Sequence, residues 1–202
     1  MPKKLIVILG PTATGKSELA IKLAKEFSGE IISADSRQVY RGMDIGAGKV
    51  TKKEMKGIPH HLLDVASPKR RFTVAQYKKL AEKAINTILQ KKKIPILCGG
   101  TGFYIQAVID GLTIPKVPPD WKLRKKLEQK SVEQLYLTLK QLDPARARNI
   151  ERKNPRRLIR AIEIVSKTKR AIPPFKKVPL PYPVLIIGMK KPKKELKKSI
   201  EG

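Results

Sequence analysis

Cysteine, aromatic side chains, acidic residues and long apolar runs are all scarce in this sequence of 202 residues. Cys98 is the one cysteine, which excludes an internal disulfide framework and any zinc site built from several cysteines. No apolar run approaches the roughly 18 residues that a membrane span requires. The apolar run after Lys3 and Lys4 leads into a glycine loop without a small-residue cleavage site, so it lacks the features of a signal peptide. We therefore expect a soluble, cytoplasmic chain with no membrane partner.

The shortage of acidic residues leaves the chain strongly basic. Seventeen Asp and Glu residues oppose 45 Lys and Arg residues, which gives a formal net charge of +28. A folded domain with this charge repels itself unless a polyanion screens it, and nucleic acid is the commonest such partner. A lysine-rich proteome or a halotolerant host would explain the same excess without a partner. Apolar residues still make up 41% of the chain, which is enough to build a core.

Short apolar strands alternate with helical segments in the first half of the sequence. A capping box, in which Thr73 is followed three residues later by Gln76, marks the start of one helix. Alternation at this spacing is typical of a parallel α/β sheet that is covered by helices and joined by right-handed crossovers. The predicted strands are residues 4–9, 30–34, 61–65 and 94–98, and another predicted helix is residues 18–27.

The character of the sequence changes after Gly111, where prolines punctuate a linker. Residues 120–166 show only helical periodicity, with a capping box formed by Ser131 and Gln134. Between residues 116 and 177 there are 19 basic and 6 acidic residues. Residues 184–189 are strand-like again, and a helix is predicted to begin at Pro192. We therefore divide the chain into an α/β core (1–114), a basic helical insertion (115–180), and a return strand with the start of a helix (181–202).

The octapeptide GPTATGKS at residues 10–17 satisfies the P-loop pattern and lies between a predicted strand and a predicted helix. The glycines let backbone N–H groups converge on phosphate oxygens, and the helix adds its positive N-terminal end. Lys16 supplies a point charge, and the Ser17 hydroxyl is placed to bind Mg²⁺. The predicted phosphate or diphosphate site comprises Gly10, Pro11, Thr12, Ala13, Thr14, Gly15, Lys16 and Ser17.

Asp35 follows the second predicted strand, at the sheet edge where open α/β sheets bind ligands. One interpretation is a general base that faces the P-loop across the crevice. The other is a carboxylate that caps a helix or forms a salt bridge, and position alone leaves both open.

Four segments in order make the sequence resemble the tRNA dimethylallyltransferase family. These are GPTATGKS (10–17), SADSRQVYRGMDIG (33–46), GIPHHLLDV (57–65) and ILCGGTGFYIQAV (96–108). The resemblance extends from Lys4 to Ile200 and is strongest before Gly111. It implies a P-loop NTPase-like parallel sheet flanked by helices, with a helical insertion. It also implies transfer of a dimethylallyl group from dimethylallyl diphosphate to the N6 amine of the adenosine 3′ of the tRNA anticodon, with release of diphosphate.

The resemblance also implies roles for particular residues. Asp35 matches the family's catalytic aspartate, which would accept a proton from the adenine amine. Thr101 matches a threonine near the reacting centre. Mg²⁺ at Ser17 would stabilise the departing diphosphate. The implied partner is the anticodon loop of tRNA, whose adenosine must be flipped into a pocket, and we expect a monomer. The implied tRNA contacts are Asp35, Ser36, Arg37, Gln38, Thr101, Arg124, Arg156, Arg157, Leu158, Ile159 and Arg160.

Two departures from the family pattern stand out. The family usually continues with Thr-Ala-Lys-Pro after Gly46, whereas this chain has Ala47-Gly48-Lys49-Val50. Family members also continue well past the helix that is predicted to begin at Pro192. The resemblance therefore implies that the usual C-terminal part is lacking, as in a truncated gene, a fragment or half of a split enzyme.

Two other functions account for part of the pattern. A P-loop kinase acting on a nucleotide or a small metabolite explains the loop and the sheet, but not the basic insertion. An RNA-binding module without turnover explains the charge.

His60 and His61 are neighbours in a predicted strand and point to opposite faces, so we expect structural roles rather than a shared metal. We expect Cys98 to lie in the core, and Trp121 and Tyr136 to serve packing rather than base stacking.

Overall fold

Five parallel strands form one sheet in the computed structural model, which describes residues 3–115, 117–173, 176–192 and 195–196. Their order across the sheet is β3-β2-β4-β1-β5. The strands are β1 (Leu5–Leu9), β2 (Gly29–Ser33), β3 (His60–His61), β4 (Ile94–Gly99) and β5 (Val184–Gly188). The predicted parallel α/β sheet is confirmed.

The helices belong to two compact units of the chain. The first unit comprises residues up to Leu112 together with those from Lys177 onward, and the second comprises Thr113–Lys176. The first contains α1 (Lys16–Glu26), α2 (Lys52–Met55), α3 (Val74–Gln90) and α4 (Gly102–Ile109). The second contains α5 (Trp121–Leu127), α6 (Val132–Leu142), α7 (Pro144–Arg148) and α8 (Pro155–Thr168).

Strand β1 shows why the sheet is covered on both faces. Leu5 and Val7 pack with α3 and α4 on one face, while Ile6 and Ile8 pack with α1 on the other. Alternate residues of a strand point to opposite faces, so a strand that is apolar throughout requires helices on both sides. Strand β5 differs, because Leu185 is 59% exposed although the strand pairs with β1 along its length.

The local signals for helix starts are confirmed, whereas one strand is shorter than predicted. Capping boxes begin α3 at Thr73 and α6 at Ser131. The strand that was predicted over residues 61–65 spans only His60–His61, because Leu62 and Asp64 adopt left-handed backbone conformations with φ of 65° and 57°. Such a conformation ends the extended ladder.

The second unit is built around its own apolar core. Leu127, Leu135, Leu139, Leu158 and Ile162 are buried together where α5, α6 and α8 meet. Of the helix that was predicted from Pro192, the structure describes a turn at residues 195–196, and the rest lies outside the described residues. Among the described residues, no helix is both long and apolar enough to span a bilayer.

Gly111 is where the chain leaves the first unit, beside the segment by which it returns. It ends α4 in a Schellman motif, with N–H bonds from Gly111 to Val108 and from Leu112 to Ala107. Its φ is +56°, and a Cβ atom at this position would lie 1.9 Å from the carbonyl oxygen of Val178. The position therefore excludes every side chain, both by conformation and by contact.

We predict that Gly111→Ala lowers the free energy of unfolding by about 3 kcal/mol, because it adds a backbone clash to the strain of the left-handed conformation. Gly57→Ala is the matched control, since Gly57 has φ +78° but meets nothing within 4 Å. It should cost about 1 kcal/mol for strain alone. Urea unfolding of both variants measures the difference, and equal losses would contradict the packing argument.

Glu30, a residue of β2, forms a buried ionic cluster with basic side chains. Its carboxylate is 1% exposed and accepts hydrogen bonds from Lys93 at 2.9 Å, Lys91 at 3.2 Å and His61 at 2.7 Å. Burial by itself would raise the pKa of Glu30, but the hydrogen bonds from Lys93, His61 and Lys91 outweigh it and lower the pKa to about 2. The charged form of Glu30 therefore stabilises the fold.

This cluster predicts a pH dependence of stability. The unfolded chain protonates Glu30 near its ordinary pKa of 4.5, so its contribution is complete above that pH and disappears as the pH falls towards 2. Glu30→Gln should cost about 2 kcal/mol at pH 7, a value reduced by the partial exposure of both lysines. Urea titrations of the variant and wild type between pH 7 and pH 2 should converge at low pH. The exposed Glu26→Gln should match wild type throughout.

Candidate active site

The P-loop connects β1 to α1, as the sequence predicts. Ala13 and Gly15 adopt left-handed conformations with φ of 62° and 87°, and the Thr14 hydroxyl donates to the Pro11 carbonyl at 2.9 Å. Gly15 caps α1 without a side-chain hydrogen bond, so the first N–H groups of the helix remain directed at the loop. This arrangement is suited to an anion.

The end of β5 supports the P-loop from one side. The Met189 N–H donates to the Leu9 carbonyl at 2.8 Å, and a Cβ atom on Gly10 would lie 2.4 Å from the Met189 carbonyl oxygen. Only glycine fits at the start of the loop for this reason. The loop therefore depends on a strand that lies more than 170 residues later in the chain.

Asp35 lies directly after β2 and is held by its own loop. One oxygen, Oδ1, accepts the N–H groups of Arg37 at 2.8 Å and Gln38 at 3.3 Å. The other oxygen, Oδ2, accepts no hydrogen bond from the part of the chain that the structure describes. The carboxylate is thus oriented by one oxygen and presents the other.

Thr101 joins the end of β4 to the Asp35 loop. Its hydroxyl accepts the Ser36 N–H at 3.0 Å, and its own N–H donates to the Ala34 carbonyl at 3.1 Å. Gly99 permits this approach, since a Cβ atom there would lie 2.2 Å from the Ala34 carbonyl oxygen. The sequence-predicted residues Asp35 and Thr101 are therefore brought to one edge of the sheet, together with the P-loop.

Lys16 carries the positive charge of this edge. Its ammonium contacts the Pro11 carbonyl, so it is folded back on the loop. Burial lowers the pKa of Lys16, while Cys98 and the Asp35 carboxylate act in the opposite direction. Asp35 is the smaller of the two groups that favour the charged form of Lys16.

Gln38 connects the Asp35 loop to residues 47–50, the segment that departs from the family pattern. Its amide donates to the Gly48 carbonyl at 3.0 Å. In that segment the nearly buried Lys49 ammonium binds the Tyr40 carbonyl at 2.9 Å, Asp44 at 2.6 Å and Asp64 at 2.5 Å. Lys49 therefore fixes this loop through one carbonyl and two carboxylates.

A cavity of about 30 Å³ lies beside Ser17, behind the P-loop. It is large enough for about one water molecule. Its walls include Ser17, Ser33, Gln38, His60 and Cys98. Among the described residues no three His, Cys, Asp or Glu side chains are grouped to hold a metal ion.

The histidines and the cysteine have structural surroundings. His60 Nδ1 lies 2.8 Å from the Ile58 carbonyl oxygen, and burial lowers its pKa. His61 pairs with Glu30. Cys98 is buried in the core beneath α1, and burial raises its pKa to about 11, which makes it a poor nucleophile.

The predicted RNA contacts of the second unit lie on α5 and α8. Arg124 on α5 and Arg160 on α8 both bind the buried carboxylate of Glu163. Arg156 and Arg157 are exposed in the first turn of α8. Leu158 and Ile159 are buried in the core of the unit, so this stretch can reach RNA through its arginines while the two apolar residues pack.

Tyr136 and Trp121 have different surroundings. Tyr136 packs against the core, with Arg152 lying 4.5 Å from its ring centroid. Trp121 is 52% exposed, and the Arg124 guanidinium carbon lies 5.1 Å from its ring centroid, so it packs against an arginine at the surface rather than in the core.

Three residues that support these sites could not be predicted from the sequence. Met189 contributes through its backbone, and Lys49 and Glu163 pair with residues elsewhere in the sequence. Glu163 had one available signal: it is the only acidic residue in the strongly basic and apolar segment 156–170.

The chain is similar to known proteins over most of its length. A family model described as IPP transferase matches residues 38–202. A tRNA dimethylallyltransferase of Alkaliphilus oremlandii is 43% identical over 97% of this chain and 65% of its own length. One from Acetivibrio thermocellus is 49% identical over 83% of this chain and 55% of its own length.

Similar proteins with solved structures are also transferases that act on tRNA. A tRNA isopentenylpyrophosphate transferase of Bacillus halodurans is 40% identical, with a TM-score of 0.65 over 98% of this chain and 63% of its own. A eukaryotic dimethylallyltransferase acting on tRNA is 30% identical, with a TM-score of 0.78 over 98% of this chain and 52% of its own. The chain thus spans less than two thirds of the length of these relatives. With its P-loop, Asp35 and Thr101 on one sheet edge and a family model covering most of its length, the chain belongs to the IPP transferase family.

Proposed function

We propose that this chain is the catalytic core of a transferase that moves the dimethylallyl group of dimethylallyl diphosphate to N6 of the adenosine 3′ of a tRNA anticodon. The observation that carries the proposal is the common edge of β1, β2 and β4. There a P-loop, an oriented carboxylate and a threonine hydroxyl lie together. The relatives are named as dimethylallyltransferases that act on tRNA, which supports a dimethylallyl donor and a tRNA acceptor.

The P-loop binds the diphosphate in this proposal. The N–H groups of residues 10–17 and the start of α1 surround the phosphate oxygens, and Lys16 neutralises the charge that grows on the leaving group. Lys16 is folded back on the Pro11 carbonyl, and a phosphate would draw its ammonium away from that carbonyl.

Mg²⁺ fits as a partner of the bound diphosphate. Ser17 is exposed on the first turn of α1, beside the small cavity. Mg²⁺ keeps several water ligands and is commonly bound through one or two carboxylates plus substrate phosphates, and the hydroxyl of a P-loop serine is a further ligand. When bound, the ion supplies charge stabilisation for the leaving diphosphate.

Asp35 accepts the proton in the transfer step. The N6 nitrogen forms a bond to C1 of the dimethylallyl group, the bond from C1 to the diphosphate oxygen breaks, and its electron pair leaves with the diphosphate. The proton lost from N6 passes to Asp35 Oδ2. Thr101 fixes the Asp35 loop through the Ser36 N–H, and Ser36, Arg37 and Gln38 lie beside the incoming nucleotide.

RNA binds through the charges of the insertion. Arg124, Arg156, Arg157 and Arg160 are the proposed phosphate contacts of the second unit, which fits its excess of basic residues. The adenosine must leave the stacked loop before Asp35 can reach it, as in other enzymes that modify bases.

We predict that Asp35→Asn lowers the rate of prenyl transfer by at least about 100-fold, because the amide cannot accept the proton. Asn retains an oxygen that accepts the Arg37 and Gln38 N–H groups, so the loop should stay folded. The assay incubates the chain with an anticodon stem-loop RNA, dimethylallyl diphosphate and Mg²⁺, followed by mass spectrometry of the nucleosides. Isopentenyl-adenosine formed by wild type and variant at equal rates would refute the role of Asp35.

ATP consumption with small acceptors and no prenylated product would favour a kinase.

We also predict that Lys16→Met weakens binding of dimethylallyl diphosphate by about tenfold or more in calorimetry with Mg²⁺, because a charge-assisted contact is lost. Lys22→Met removes the same charge from the exposed face of α1 and should bind as wild type does. Folded wild-type protein that binds no diphosphate would overturn the proposed role of the P-loop.

A further inference from the structure

Glu163 is a fully buried carboxylate in the most basic part of the chain. It lies on α8 with 0% of its side chain exposed. Each of its oxygens accepts two hydrogen bonds. Oε1 accepts the Arg124 Nε–H at 2.8 Å and the Asp120 N–H at 2.6 Å, while Oε2 accepts Arg124 Nη2 at 2.8 Å and Arg160 Nη1. The carboxylate is therefore saturated with donors.

These contacts fix the orientation of both guanidinium groups. Arg124 forms a two-point, fork-like pair with Glu163, which sets the plane of its guanidinium. Arg160 is held at two points, because its Nη2 donates to the Val117 carbonyl at 2.8 Å. Burial by itself would raise the pKa of Glu163, but hydrogen bonds from Arg124, the Asp120 N–H and Arg160 lower it to about 2, so Glu163 stays ionised at neutral pH.

Both arginines nevertheless retain donors and access to solvent. Their side chains are 19% and 33% exposed. Arg124 Nη1 and Arg160 Nε make no hydrogen bond within the described part of the chain. Arg160 also lies one helical turn from the exposed Arg156, on the same face of α8. A buried anion therefore holds two cations at the border of a basic surface.

Stability alone does not account for this arrangement. A buried ion triad is commonly no more stable than apolar side chains of similar size, and α8 already packs on a continuous apolar core. The triad does provide two guanidinium groups whose orientation is set before any ligand binds. Such preorganisation lowers the entropy that is lost on binding.

We infer that Glu163 is a positioning residue that holds Arg124 and Arg160 as a rigid clamp for a phosphodiester of the bound RNA. This inference rests on the proposed function, since it assigns to Glu163 the arrangement of that RNA-binding surface. Glu163 itself touches no RNA and acts through the two arginines.

The test compares Glu163→Gln with a matched control, Glu133→Gln. Both variants remove one negative charge from the second unit, but Glu133 is exposed on α6. Removal of a negative charge alone should tighten RNA binding slightly. The amide that replaces the buried carboxylate instead presents N–H groups to a guanidinium, which breaks the two-point pair. We therefore expect Glu163→Gln to bind an anticodon stem-loop RNA about tenfold more weakly, and Glu133→Gln to stay within about twofold of wild type.

The chain carries its own reporter of the clamp. Trp121 is the one tryptophan, and its ring lies 5.1 Å from the Arg124 guanidinium carbon. Its fluorescence should change in free Glu163→Gln and not in free Glu133→Gln, and it also follows the RNA titration. Circular dichroism confirms that each variant is folded.

A double-mutant cycle separates positioning from a structural role. In an Arg124→Ala background, Glu163→Gln should cause at most about a twofold further loss of RNA affinity, because the clamp is already broken. Losses that add fully, or equal affinities of Glu163→Gln and Glu133→Gln, would overturn the inference. If Glu163→Gln does not fold, Arg124→Lys decides. It keeps the charge but cannot form the two-point pair, and wild-type affinity would refute the clamp. Wild-type protein that binds no stem-loop RNA would instead refute the proposed function, which is a separate outcome.

Discussion

The active edge of this protein depends on the backbone ladder between β2 and β4, which continues beyond both strands. The Ala34 N–H binds the Cys98 carbonyl at 2.7 Å, and the Thr101 N–H then binds the Ala34 carbonyl. Gly99 makes this approach possible, because it has no Cβ atom to meet Ala34. Asp35 is the next residue after this ladder, so its position relative to the P-loop follows from the register of the sheet. A shift of one residue would turn Asp35 to the other face.

A few buried carboxylates each neutralise several basic groups of the chain. Glu30 in the first unit and Glu163 in the second each collect several basic groups and stay ionised at neutral pH. Both are saturated with donors, which offsets the free energy of desolvating a charge. Lys49 shows the converse arrangement, in which a nearly buried ammonium collects two carboxylates. Each cluster fixes local structure in a chain whose net charge otherwise favours expansion.

Much of the first unit could be predicted from the sequence because its signals are local. The β-branched run of β1, the glycines of the P-loop and the capping box at Thr73 each specify structure within a few residues. Long-range contacts were inaccessible for the opposite reason. The Met189 carbonyl that makes Gly10 obligatory is distant in sequence, and the partners Arg124 and Glu163 are 39 residues apart.

The predicted third strand illustrates a different limit. Residues 61–65 are apolar enough for a strand, but the left-handed conformations of Leu62 and Asp64 end it after His61. Leucine rarely adopts that conformation, so composition gives no warning at Leu62, whereas aspartate is among the residues enriched in it. Of the candidate site, the sequence specified the residue types, and the register of the sheet determined which of them meet.

The half-exposed strand β5 has a consequence for how the chain behaves in solution. Within the described residues its only strand neighbour is β1, and Leu185 and Ile186 are accessible along it. An apolar strand at a sheet edge is a template on which another strand can add by hydrogen bonding. Mutual repulsion between chains of charge +28 opposes such addition, and dissolved salt screens that repulsion. The colloidal stability of the chain is therefore coupled to ionic strength. A polyanion that neutralises the surface of the chain also removes the electrostatic repulsion that keeps the β5 edges of two chains apart.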